Sequence, residues 1–295
     1  MSAGPDGLRY DTISFLSDYG RVDEFVGVVH SVLRTLAPGV AVVDITHDVP
    51  AHDVRAGGLT LARSAQYLAP GVVLAVVDPG VGTDRRAIAV EVGDGASILV
   101  GPDNGLLASA VAMVGGATRV VELTSAEHRL EAPGPTFDGR DVFAPAAAAL
   151  CRGVPLDELG PDLDPLTLRP GLFPLPQIED DGIGAEVLWV DRYGNVQLNL
   201  GPDDLEPLGI EGERVTVRIE GSERTARRVA AYAELGPGEL GLAVDSYGLL
   251  ALVLDQRSAA DELGVAASSA VTLAPLGDDA ASLGPSSPVT LRSKP

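Results

Sequence analysis

The chain is poor in the residues that build several common classes of protein. It has one cysteine, Cys151, in 295 residues, so no intrachain disulfide can form. That points to a reducing, cytoplasmic compartment. Lys and Arg together number 21 against 42 Asp and Glu, a net charge of −21. A nucleic-acid partner is therefore not expected, because phosphate backbones are held by clustered Lys and Arg. No apolar run approaches the ~18 residues that would span a bilayer. The first residues, MSAGPDGLRYD, contain no apolar h-region, so neither a secretory signal nor a membrane partner is expected. No repeat of fixed period is visible. The glycine pairs at 80–82 and 93–95 do not open a helix, so a dinucleotide-binding fingerprint is unsupported.

What is present is a large apolar fraction, 45%, enough for two domains or one large one. The most informative stretch is VVDPGVGTDRR at 76–86. The continuous apolar run before it reads as a strand buried on both faces. It ends in Asp78, and Arg85 follows seven residues later. In an open α/β sheet, ligands bind beyond the carboxyl ends of the strands. A plain β-turn with a solvated acid explains Asp-Pro-Gly by itself equally well.

Around this stretch the chain reads as an α/β unit. Residues 12–16 form a short strand ending in Asp18. An amphipathic helix follows, with Asp23 placed to cap it, and it stops at Pro38-Gly39. Residues 40–45 form the next strand, giving the strand–helix–strand pattern of a parallel sheet. A second amphipathic helix spans 55–68. Residues 86–92 and 97–100 alternate around Gly93-Asp94-Gly95 as a hairpin, and 144–151 is an alanine-rich helix on which Cys151 is a core residue. Prolines crowd 153–177, which reads as a connection between domains. Evenly spaced short strands then predict a small antiparallel barrel or sandwich: 184–190, 196–199, 214–219, 227–232, 240–245, 249–254 and 271–273. The expected organisation is an N-terminal α/β domain with a mainly parallel sheet over 1–165, a Pro-rich linker over 166–180, and a C-terminal antiparallel β-barrel domain over 181–295.

Asp18, the acids from Asp44 to Asp48, Asp78 and Asp103-Asn104 all follow predicted strands, so a parallel sheet would align them along one edge. A carboxylate there can accept both hydroxyls of a ribose or act as a base on water. Arg85 would orient Asp78 and lower its pKa. His47 and His52 with Asp44, Asp48 and Asp53 have the side-chain types of a metal site. Their spacing across Pro50 does not fix both histidines on one face, so no metal is assigned to them. In the second domain, Asp191, Tyr193 and Asn195 in DRYGN, and Ser246 in SYG, read on spacing alone as turn residues.

Several stretches, in order, resemble the S-adenosyl-L-methionine (SAM) hydrolases, also called SAM hydroxide adenosyltransferases, which share a fold with the SAM-dependent fluorinase and chlorinase. They are SDYG (17–20), VDITHDVP (43–50), VVDPGVGTDRR (76–86), GPDNGLL (101–107), TFDGRDVFAPAAA (136–148), DRYGN (191–195) and SYG with the SAA that follows (246–260). The resemblance covers nearly the whole chain. It implies a homotrimer with active sites at subunit interfaces, in which water attacks C5′ of SAM and expels methionine, leaving adenosine. SAM is then substrate and no cofactor is required. By motif match Asp18 holds the ribose hydroxyls, and Asp191, Tyr193, Asn195 and Ser246 hold the methionine or adenine ends. Asn104, Thr136 and Phe137 fall in matching motifs and are further substrate-binding candidates. Asp78 and Arg85 match two members of the family's water-activating Asp–Arg–His set.

The third member differs. Where the family usually has TFHGRD, this chain has TFDGRD, so Asp138 stands in the place of the histidine. The halogenases also lack that histidine but carry tyrosine at the position of Asp78, and a carboxylate there would repel a halide. Asp78 therefore favours hydrolysis. Alternatives carried forward are a SAM-dependent halogenase, a SAM- or adenosine-binding protein with little turnover, and a metal-dependent hydrolase using 44–53.

Overall fold

The computed structural model describes residues 8–209 and 212–276, and the chain divides into two compact units, Met1–Phe173 and Pro174–Pro295. The first unit is built on seven strands. They are β1 (Thr12–Ser17), β2 (Ala41–Thr46), β3 (Val72–Val76), β4 (Ala87–Val92), β5 (Ser97–Pro102), β6 (Ala117–Glu122) and β7 (Asp162–Leu163), in the spatial order β2-β1-β3-β5-β4-β6-β7. Pairings β1–β2, β1–β3 and β3–β5 are parallel, while β4, β6 and β7 extend the sheet antiparallel.

Helices cover both faces of the parallel half. α1 (Phe25–Leu36) and α4 (Ala144–Cys151) pack together on one side, and α2 (Val54–Ala65) and α3 (Ala108–Met113) on the other. That double cover explains why every residue of β3 is buried and why its sequence is uniformly apolar. Ile13, Phe15, Leu74, Val76 and Val100 meet Val29, Leu33 and the alanines of α4 in one core. Cys151 is fully buried there, and burial pushes its thiol up to about 12.

Some boundaries differ from expectation. Asp23 does not cap α1: the helix begins after Glu24 with no side-chain cap. Most of the proline-rich stretch belongs to the first unit. A short helix, α5 (Leu156–Leu159), leads into β7, which pairs with β6, and Arg169 N–H donates to Asp103. Prolines bar long elements but not short ones fastened by side chains.

In the second unit, β8 (Gln177–Glu179) flanks a seven-stranded barrel. Its strands are β9 (Gly182–Val190), β10 (Val196–Leu198), β11 (Arg214–Ile219), β12 (Ser222–Val229), β13 (Leu240–Val244), β14 (Leu250–Val253) and β15 (Ala270–Pro275). Their order runs β10-β14-β13-β12-β11-β15-β9, and a β9–β10 pairing closes the ring. One ladder, β12–β13, is parallel; the rest are antiparallel. The fourth strand begins five residues earlier than its apolar pattern predicts. Glu220 and Gly221 both take positive φ, 45° and 81°, the geometry of a two-residue hairpin turn. A final helix, α6 (Ala259–Leu263), is capped by Ser258, whose Oγ accepts from Asp261 N–H at 3.0 Å.

Candidate active site

The parallel strands β2, β1, β3 and β5 carry their carboxyl ends to one edge of the first unit. The chain leaves β1 for β2 on one side and later returns to β3 on the other. The crevice between β1 and β3 is therefore the topological switch point, where ligands bind in open α/β sheets. Asp18 directly follows β1, and Asp78 lies two residues beyond β3. Both carboxylates therefore stand beyond the carboxyl ends of adjacent parallel strands.

At this crevice a single guanidinium joins two carboxylates. Arg85 donates from Nε to Asp78 Oδ1 (3.1 Å) and from Nη2 to Asp78 Oδ2 (2.5 Å), a bidentate fork. The same Nη2 donates to Asp138 Oδ2 at 2.6 Å. The three side chains are 5% (Asp78), 9% (Arg85) and 18% (Asp138) exposed, so solvent screens them weakly. The Arg85 guanidinium also lies 5.4 Å from the centre of the Phe143 ring. Two acids facing one base leave the group with one excess negative charge. Burial, the largest effect, raises the pKa of Asp78. Arg85 pulls it down and Asp138 pushes it up, and the net direction is upward. The sequence expectation that Arg85 would lower it names a real pull, but desolvation outweighs it.

Asp138 reaches this position through a close-packed aromatic corner. The segment Gly139–Phe143 is a π-helical turn at the head of α4, a distortion found often at functional sites. A Cβ on Gly139 would lie 2.0 Å from the Tyr19 hydroxyl, so only glycine allows this approach. Phe137 stands edge-on to Tyr19 (centroids 5.6 Å) and Phe25 (5.1 Å). Burial, with Asp18, Asp78 and Asp138 nearby, pushes the Tyr19 hydroxyl far up and keeps it a proton donor. At the other wall, a Cβ on Gly82, whose φ is +77°, would meet the Pro135 carbonyl at 2.8 Å, which brings the loop after β3 against the segment leading to Asp138.

The remaining candidates divide by unit. Asp18 Oδ2 accepts from His52 N–H at 2.8 Å, so the carboxylate is oriented from the neighbouring loop. Asn104 lies at the end of β5, but its amide is engaged with backbone: Nδ2 donates to the Val77 carbonyl (2.9 Å) and Oδ1 accepts from Leu106 N–H (3.1 Å). Thr136 is exposed. A cavity of about 820 Å³ opens beside Pro79, Thr83, Arg85, Asn104 and Arg169, within the usual size for ligand sites. In the second unit, Asp191 closes its own turn, accepting from Tyr193 N–H (2.8 Å), Asn195 N–H (2.9 Å) and Asn195 Nδ2 (2.8 Å). Tyr193 is 73% exposed. Ser246 sits in the β13–β14 turn, at the opposite end of the short β10 from Asp191.

The metal-type residues separate. Asp53 caps α2, accepting from Ala56 N–H, and Asp48 pairs with Arg21 at 3.5 Å. Asp44 and His47 stay together and are joined by His30 of α1. Burial opposes charge on Asp44, but His47 and His30 outweigh it and hold its carboxyl below the ordinary range. Tyr19, Ser17 and His30 escaped the sequence reading. Tyr19 looks like a turn residue in SDYG, and His30 sits fourteen residues from the acid it meets.

Two family models match. That for the SAM hydroxide adenosyltransferase N-terminal domain covers residues 13–160, and that for the C-terminal domain covers 185–272. The chain belongs to the SAM hydroxide adenosyltransferase family. A Salinispora tropica protein named (R)-S-adenosyl-L-methionine hydrolase is 49% identical, over 86% of this chain and 94% of that protein. A Thermus thermophilus protein of the same name is 40% identical, over 86% and 95%. A Nocardia brasiliensis fluorinase is more distant, 28% identical over 85% and 93%. Among solved structures, an uncharacterized conserved protein from Thermotoga maritima superposes with a TM-score of 0.82 at 33% identity, over 89% of this chain and 99% of that one. Membership of the SAM hydroxide adenosyltransferase family agrees with both the sheet-plus-barrel architecture and the order of the motifs.

Proposed function

We propose that this chain is a hydrolase that converts SAM to adenosine and L-methionine, with water attacking C5′. The observation that carries the reading is the buried Asp78–Arg85–Asp138 array at the switch point, in a chain whose relatives are named SAM hydrolases. A sulfonium leaves as a neutral thioether, so no acid is needed at sulfur. The C5′–S bond breaks with its electron pair going to sulfur, while the water oxygen forms the new bond to C5′. Asp78 takes the proton that water loses, and its raised pKa suits it better to that task than an ordinary aspartate. Arg85 fixes the direction of Asp78. Asp138, on the same guanidinium nitrogen, positions the water and keeps Asp78 from being over-stabilised as an anion. A water held ~3–3.5 Å from C5′, in line with the departing sulfur, gains further rate from orientation. By motif match Asp18 is assigned to the ribose hydroxyls, Asn104, Thr136 and Phe137 to further substrate contacts, and Asp191, Tyr193, Asn195 and Ser246 to the methionine or adenine ends. The enzyme needs no cofactor and works in the cytoplasm as a homotrimer. No helix of the described residues is long and apolar enough to cross a membrane.

The test is to incubate purified protein with SAM, with and without chloride, and follow the nucleoside products. Adenosine and methionine in equal amounts, independent of chloride, are expected. Chloro-adenosine would contradict the proposal, and so would bound SAM with no product.

A further inference from the structure

Two of the four histidines in the chain converge on one carboxylate oxygen from separate elements. His30 Nε2, on α1, lies 2.8 Å from Asp44 Oδ1, and His47 Nε2, just past β2, lies 3.1 Å from the same atom. All three donor atoms fall within 4.8 Å of one another. We infer that His30, Asp44 and His47 form a binding site for a divalent transition-metal cation of the zinc class, behind the loop that carries Asp18.

Three features favour a cation over a hydrogen-bonded cluster alone. First, the His47 side chain is 1% exposed, and its Nε2 is buried without a hydrogen-bond partner although Asp44 Oδ1 is close. The buried ring nitrogen thus faces the Asp44 oxygen at 3.1 Å without a well-formed hydrogen bond to it. Such a group is costly to bury, and a metal ion satisfies it. Second, the far nitrogen of that ring is already fixed: His47 Nδ1 meets Ser17 Oγ at 2.8 Å, and Tyr19 N–H donates to the same Oγ at 3.3 Å. Metal-bound imidazoles are ordinarily held in this way through their other nitrogen. Third, the spacing is nearly right. Zinc bonds of ~2.0–2.1 Å in a tetrahedron need donors about 3.3 Å apart, a few tenths of an ångström beyond the separations from Asp44.

Two imidazoles and one carboxylate are ligands of borderline hardness, which suits zinc, cobalt or nickel better than calcium or magnesium. His30 and Asp44 are about one-third exposed (35% and 32%), so an ion has a path from solvent and room for water at a fourth position. The Asp78–Arg85–Asp138 array belongs to a different strand end, so the ion takes no part in proton transfer. It ties α1 and the end of β2 to Ser17, the residue before Asp18.

The protein is stripped with chelator, desalted and titrated with Zn²⁺ by calorimetry, and with Co²⁺ by visible absorption. One ion per chain is expected, with a zinc-dependent rise in Tm. His30→Gln and Asp44→Asn should each weaken zinc binding at least tenfold and abolish the rise, while substitution of a histidine outside the cluster, His128→Gln in the turn Ala126–His128 after β6, should leave both unchanged. His30 and Asp44 are partly exposed, so these variants should fold, and circular dichroism without metal checks that they do. Absence of zinc uptake by the parent, or equal uptake by the parent and both variants, overturns the site and leaves a hydrogen-bonded triad. Neither readout depends on the identity of the substrate.

Discussion

Asp78 carries the largest chemical demand of any residue in the chain. In the folded state burial raises its pKa, so the folded protein holds this proton more tightly than the unfolded chain. Ionising Asp78 therefore costs stability above the raised pKa, and that cost is relieved as pH falls through it. Activity runs the other way, because a general base must be ionised. The acid limb of kcat/KM should accordingly lie above the ~3.9 of an unperturbed aspartate. Asp138 contributes to the rise, so Asp138→Asn should move that limb to lower pH. A pH–rate profile of the variant checks this, and an unmoved limb would show that the two carboxylates are not coupled through Arg85.

At the scale of elements, the π-turn Gly139–Phe143 decides where Asp138 points. Gly139→Ala must push the new methyl group into the Tyr19 hydroxyl. Overpacking of this kind costs ~1–3 kcal/mol. Because Tyr19 is clamped among Phe15, Phe25 and Phe137, Asp138 must give way instead. The variant should show both a lower Tm and a lower kcat. A variant with the parent's kcat would mean that the turn does not set the position of Asp138. Strand ends and helices of this unit were legible because burial on both sheet faces leaves long apolar runs, as in β3. The link between Arg85 and Asp138 was legible only through the family resemblance, since 53 residues separate them and no local pattern registers the distance. His30 was missed for the same reason. The early start of β12 was hidden by Glu220-Gly221, a less recognisable pair than Asn-Gly for a two-residue turn. The DRYGN turn read two ways in the sequence, and Asp191 does close that turn with its own carboxylate.

For the whole molecule, the net charge of −21 favours approach of a substrate that carries a sulfonium and an ammonium group. The proposed homotrimer should scatter light in solution with three times the 30.3 kDa mass of the chain, and a monomer at working concentrations would exclude it. The central claim is that water activated by Asp78 attacks C5′, and oxygen tracing tests it most directly. In H₂¹⁸O, the parent should place one ¹⁸O in the 5′-hydroxyl of adenosine and none in methionine, and Asp78→Asn should form labelled adenosine ~10²–10⁴-fold more slowly. Adenosine without solvent oxygen, or an Asp78→Asn variant as fast as the parent, would contradict it.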